Sequence, residues 1–232
     1  MAARRRLTDL QQLITDIHTN NINYINREVY LHGYYDGSGG VSEEPGVEYR
    51  MATTFVKNLH ILQGDDKSPI LVYLHTVGGN WQDGIAIYNA IQYSEAPITI
   101  IAYAECSSMS GIILQAADRR VLMPDTTVMI HHGSLGLDTT SIAAKSIVDI
   151  NEKCCKKMLK IFAKRAIGGQ FFKERQYSLS KIESYIDRKI KDKGDWFLSA
   201  EEAVYYGIAD GIFGTTGCEN TNKIRTTKKI KW

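Results

Sequence analysis

Little in this sequence points to a disulfide-stapled, metal-binding, membrane-spanning or nucleic-acid-binding protein. Its four cysteines, Cys106, Cys154, Cys155 and Cys218, have neither CxxC pairing nor the density of a disulfide scaffold. They read as reduced thiols that hold no metal. No apolar run approaches the roughly 20 residues of a membrane span, and the start MAARRRLTDLQQLI lacks the uninterrupted apolar core of a signal peptide. A soluble, cytoplasmic protein is therefore expected. The formal net charge is only +2 and no basic stripe interleaved with aromatics runs through the body of the chain, so nucleic acid is not an expected partner. The exception is the basic end KIRTTKKIKW, read as a solvated tail with a docking segment as the alternative. Internal repeats and low-complexity segments are missing too.

What is present is an α/β pattern. With 232 residues, 44% hydrophobic and 23% charged, the chain has material for one sizeable core with appendages. REVYLHG reads as a short strand and YYDGSGGVSEEPG as a loop. Val47, Met51, Phe55, Leu59 and Leu62 follow at three- and four-residue steps, the spacing of an amphipathic helix. SPILVYLHT is nearly continuously apolar, which suits a strand buried on both faces. A helical stretch from Trp81 to Tyr93, the strand ITIIAYA, the helix MSGIILQAA and the strands RRVLM and TVMIHHG come next. Thr139 to about Ala166 predicts one long helix with apolar positions at Ile142, Ile147, Ile150, Met158, Ile161 and Phe162. One or two further helices are expected before LSAEEAVYYGIADGI, where Ser199 and Glu202 have capping-box spacing and Gly207 can end the helix. Repeated strand and helix alternation favours an α/β domain.

Two junctions carry chemical potential. In AECSSMSGIIL, serines stand where a strand gives way to a helix, beside backbone N–H groups that have no helical acceptor. The position suits a nucleophile near an oxyanion site, and it equally suits an N-cap. HTVGGNW is a second strand-to-helix junction, where Gly78 and Gly79 allow a sharp turn and close backbone approach. The hydrolase elbow needs glycine two residues either side of the serine; Ser108 has Cys106 and Ser110 there, which disfavours that family. A base is offered by His131 or His132, of which only one can face a given side of a strand. Asp195, Asp187, Asp192 or another carboxylate is left as the orienting acid.

LHTVGGNWQDGIAIYNAI, CSSMSGIILQAADRRVLMPDTTVMIHHG and DWFLSAEEAVYYGIADGI together resemble the proteolytic subunit of the Clp protease, the ClpP-type serine peptidases. The similarity runs from about Arg27 to Phe213. It implies an α/β fold of the ClpP/crotonase type, built of repeated strand-strand-helix units with a projecting handle helix. It also implies a division into an N-terminal segment (1–26), a peptidase domain (27–213, handle and insertion about 139–192) and a basic tail (214–232). By this resemblance Ser108 is the nucleophile, His131 the base and Asp195 the acid, with the backbone N–H groups of Gly79 and Met109 as oxyanion donors. Substrate would lie as an added strand between Gly79, Asn80 and Trp81 on one side and Gly133, Ser134 and Leu135 on the other. No cofactor or metal is implied. The helix from Thr139 resembles the handle through which two seven-membered rings enclose the active sites, and an ATP-dependent unfoldase is an expected partner.

The sequence also departs from the family's pattern. Val77 stands where proline precedes the Gly-Gly turn, and Ser110 where glycine follows Ser-Met. Ser110 is expected to add a side chain near the nucleophile that narrows the site or lowers the rate. The stretch from His131 to Asp195 is longer than is typical, and TDLQQLITDIHTNNINYIN is unlike the family's axial loop. Such divergence is also found in ClpP-like peptidases of phages and prophages, some of which process capsid proteins. Two other readings are a catalytically silent ring subunit and a crotonase-type acyl-CoA enzyme, which needs no Ser, His, Asp set.

Overall fold

The computed structural model describes residues 2–32, 46–136 and 138–230. The loop expected from Tyr34 lies outside the described residues up to Gly46. The described elements begin with a helix α1 (Ala2–Asn20), a two-residue strand β1 (Ile22–Asn23), β2 (Glu28–His32), α2 (Tyr49–Asp65), β3 (Ile70–Thr76), α3 (Trp81–Gln92) and β4 (Ile98–Ser107). There follow α4 (Met109–Gln115), β5 (Arg119–Leu122), β6 (Thr127–Ile130), α5 (Ser141–Ala166), α6 (Gln170–Glu174) and α7 (Leu179–Lys193). The chain closes with β7 (Trp196–Leu198), α8 (Ala200–Tyr205), β8 (Gly211–Ile212) and α9 (Thr221–Ile224).

The strands form one sheet in the order β1-β2-β3-β4-β5-β8, parallel from β2 to β8. Alternation explains the two buried faces of its centre. Ile70, Val72 and Leu74 of β3 and Ile98, Ile100 and Ala102 of β4 enter the main core, while Leu71 and Ile101 point the other way. The main core lies under α2, α3, α4 and the second half of α5, with Phe55, Leu59, Ile87 and Phe162 fully buried.

The opposite face is covered by the end of the chain. Ile224 is completely buried with Leu71, Ile101, Val121 and Cys218. Beyond it, Thr226 N–H donates to Thr99 Oγ1, Ile230 N–H to Asp118 Oδ1, and Arg225 reaches the Asn26 carbonyl and Glu28. The expected solvated tail is therefore corrected as far as Ile230: it is a strap on its own sheet. Its apolar anchor, one isoleucine in a basic stretch, gave no periodic signal to read.

One irregularity positions the site. β4 pairs with β5 over Thr99–Ala102, then leaves it and pairs with β6 over Glu105–Ser107. At the fork Ala104 has a positive φ of 45°, and the β3–β4 register shifts between Leu74 and Thr76. The strand thus runs three residues past the expected ITIIAYA and delivers Ser108 beside the end of β6. β6 is in turn paired antiparallel with β7. Elsewhere the expected caps are present: Ser199 and Glu202 form the capping box of α8, and Gly207 (φ 74°) follows it.

Candidate active site

Ser108 stands at the N-cap of α4 but does not cap it. Its side chain makes no bond to the helix, and its backbone sits at φ 54°, ψ −119°, a region L-residues rarely visit. Its own N–H donates to Met129 O of β6 at 2.9 Å. The hydroxyl is instead 2.7 Å from His131 Nε2, hydrogen-bonding distance. On the far side of the ring, His131 Nδ1 is 3.2 Å from Asp195 Oδ1, a close contact with a half-exposed carboxylate. The arrangement follows from pairing: the β6–β7 ladder ends with Ile130 opposite Trp196, so His131 and Asp195 are the next residues along.

His132, like His131, lies beyond the end of β6, not within the expected strand, and faces another partner. Its Nε2 is 3.1 Å from Asp187 Oδ1 on α7, without the alignment of a hydrogen bond, and Lys191 Nζ holds the other Asp187 oxygen at 2.6 Å. Of the candidate acids, then, Asp195 is beside His131 and Asp187 beside His132.

The Gly-Gly turn comes down on Ser108. Gly78 has φ +97°, and a Cβ there would lie 2.6 Å from Ser107 O, 2.7 Å from Ser108 Cβ and 2.8 Å from the Met109 nitrogen. Only glycine permits that approach. Val47 N–H donates to Gly78 O at 2.6 Å and Asn80 N–H to Val47 O at 2.8 Å, so the turn is clamped from outside. Met109 is itself seated by a glycine: a Cβ on Gly84 would overlap its Cγ, Sδ and Cε.

These groups line one groove of about 630 Å³. Gly79, Asn80 and Trp81 form one bank and Gly133, Ser134 and Leu135 the other, with Ser108, Met109 and His131 on its wall. The banks differ in what they can offer. Asn80 is engaged through its N–H with Val47, its carbonyl with Gly84 N–H and its Oδ1 with Gln82 and Asp83 N–H, and Trp81 already begins α3. The segment Gly133–Leu135 carries no regular structure and is largely exposed.

Ser110 does not narrow this groove. It is completely buried and its single hydroxyl proton is shared between Thr76 O (2.6 Å) and Ser107 O (2.7 Å), joining the ends of β3 and β4 beneath Ser108. Sequence reasoning also gave no part in the site to α5, yet Ile147, Ile150, Asn151, Cys154, Cys155 and Met158 wall the groove. Their three- and four-residue spacing was the available signal. Burial pushes the Cys154 and Cys155 thiols above their ordinary value, so neither is an activated nucleophile.

The Clp protease family matches this chain over residues 39–216. The chain belongs to the Clp protease family. Relatives include the ATP-dependent Clp protease proteolytic subunit of Deinococcus radiodurans, 28% identical over 175 residues, covering 73% of this chain and 78% of that protein. Proteolytic subunit 3 of Synechococcus sp. strain CC9902 is 32% identical over 165 residues (70% of this chain, 76% of that protein). Subunit 2 of Prochlorococcus marinus strain MIT 9312 is 33% identical over 165 residues (70% and 74%). The α/β sheet and its helices agree with the expected ClpP-type fold. Among the described residues, no helix is long and apolar enough to cross a membrane.

Proposed function

We propose that this Clp protease family member is a serine endopeptidase that cleaves unfolded polypeptides by acyl transfer. The observation that carries the proposal is the Ser108 hydroxyl 2.7 Å from His131 Nε2 at the head of α4, with Asp195 3.2 Å from the other ring nitrogen. Nε2 takes the hydroxyl proton as Oγ attacks a peptide carbonyl, and the Asp195 carboxylate stabilises the resulting imidazolium. Charge developing on the carbonyl oxygen is met by N–H groups of Gly79 and Met109, the latter the first residue of α4, whose N–H has no helical acceptor. The imidazolium then protonates the leaving amine, and water attacks the acyl-serine with His131 again as base. A groove with an exposed, unpaired bank at Gly133–Leu135 suits an extended peptide held through its main chain, with little demand on side-chain identity.

Assembly into stacked rings is part of the same reading. Ile142 is 83% exposed and Ile150 55%, on the half of α5 that leaves the core. Apolar side chains so placed favour contact between copies of this chain. The named relatives are subunits of ATP-dependent proteases, which supports an unfoldase partner here.

The test is labelling of the purified protein with a fluorophosphonate, read by intact mass and peptide mapping, beside Ser108→Ala. One adduct on Ser108 in the wild type and none in the variant is the expected result. An assembled wild type that takes no label would instead be a silent ring subunit.

A further inference from the structure

Asp195 is held by little. Among the described residues its side chain has one polar contact, His131 Nδ1 at 3.2 Å. It lies one step beyond the last paired residues of the β6–β7 ladder. On its other side a single residue, Gly194 at φ +75°, joins it to α7, and a Cβ at Gly194 would meet nothing within 4 Å. The carboxylate is therefore set from two sides, by the paired Trp196 that follows it and, through Gly194, by the end of α7.

α7 is fixed in two ways. Ile182, Tyr185, Ile186 and Ile190 bury one face in the core. Across from them, Asp187 meets His132, the residue that follows the proposed base, at 3.1 Å. The carbonyl of that same His132 accepts from Cys155 Sγ of α5 at 3.5 Å. One residue thus touches the wall helix and the helix that leads into Asp195, and is bonded to His131. His132 and Asp187 are 31% and 27% exposed, so the contact is partly sheltered from solvent. Lys191, one turn along, occupies the second Asp187 oxygen and turns the first toward His132.

We infer that His132 and Asp187 form a brace that sets Asp195 against His131, making both positioning residues for the acyl transfer. Asp187, a candidate acid on sequence grounds, acts one step removed from the chemistry by fixing the helix that presents the acid. This rests on the peptidase reading, and its effect is on geometry at the reacting centre, where a displacement of about 1 Å lowers rates by about 100-fold.

The experiment measures kcat and KM on a fluorogenic peptide for the wild type, His132→Ala, Asp187→Ala, the double variant and Asp187→Glu. Each alanine change is expected to lower kcat by about 10- to 100-fold with KM little changed. The double variant should lose no more than either single one, since both break the same link. Asp187→Glu, which restores the carboxylate, should recover most of kcat, which loss of packing alone would not permit. Wild-type kcat in both alanine variants, or additive losses, overturns the brace. Should Asp187→Ala fail to fold, the isosteric Asp187→Asn replaces it.

Amide hydrogen exchange at Trp196–Leu198 reads the same brace without activity. Faster exchange there in the Asp187 variant is expected, and unchanged protection overturns the inference. If Ser108 takes no fluorophosphonate in the wild type, the peptidase reading fails, and exchange alone decides the brace.

Discussion

Ile130 and Trp196 are the last paired residues of an antiparallel ladder, and His131 and Asp195 occupy the step just past its end. The acid therefore reaches the histidine from a strand terminus, half exposed, with no buried pocket around it. Asp195→Asn is expected to lower kcat by about 10²- to 10⁴-fold, because an amide cannot stabilise the imidazolium and can select the wrong tautomer. Steady-state hydrolysis of a peptide substrate measures this. A larger loss in Asp187→Asn than in Asp195→Asn would give the orienting role to Asp187.

Ser110 ties Thr76 and Ser107 together under Ser108, out of contact with the groove. Ser110→Ala is expected to destabilise the fold by about 1–3 kcal/mol, the cost of removing a buried donor, and to leave KM for peptides unchanged. Thermal unfolding beside steady-state kinetics tests this. An unchanged melting temperature with faster turnover would restore the view that this side chain crowds the site.

The docked chain end leads to a stability prediction. Ile224 is fully buried beneath the sheet, so Ile224→Ala should cost about 2–5 kcal/mol, as at other core positions. Urea denaturation gives the value, and a change under about 0.5 kcal/mol, the range of ordinary surface substitutions, would return the tail to solvent.

Acid should attack one particular network. Loss of hydration pushes the Asp210 carboxyl up, but Arg120, which bonds it through side chain and backbone, and then Arg165 outweigh this and hold it below its ordinary 3.8. A carboxylate lowered on folding contributes stability that is complete above the unfolded value and is lost as pH falls through the folded one. Stability should thus decline below about pH 4, and Asp210→Asn should flatten that part of the curve while lowering stability at neutral pH. An identical pH profile in the variant would remove Asp210 from the acid transition.

The legible parts of this molecule are those written in local spacing. The steps from Val47 to Leu62 gave α2, the Ser199–Glu202 pair gave the α8 cap, and the apolar SPILVYLHT gave a strand buried on both faces. Ser108 and His131 could be nominated from their junctions, but choosing Ser108 over Ser107, His131 over His132 and Asp195 over Asp187 needed the family resemblance. Those choices depend on the fork in β4 and the register of β7, which are settled between strands distant in sequence. The inward turn of Ser110 and the His132–Asp187 contact were hidden for the same reason. Each needs a partner more than 30 residues away, and no local pattern announces it.

α5 runs for 26 residues with no glycine or proline to break it. Its outer turn exposes Ile142, its middle turns from Ile147 to Met158 wall the groove, and Phe162 near its base lies against Gly111, three residues past Ser108. A single unbroken helix is thus shared by surface, groove and core. No substitution along it can be judged by one of these settings alone, because the exposed end, the groove wall and the ring against Gly111 belong to the same unbroken helix.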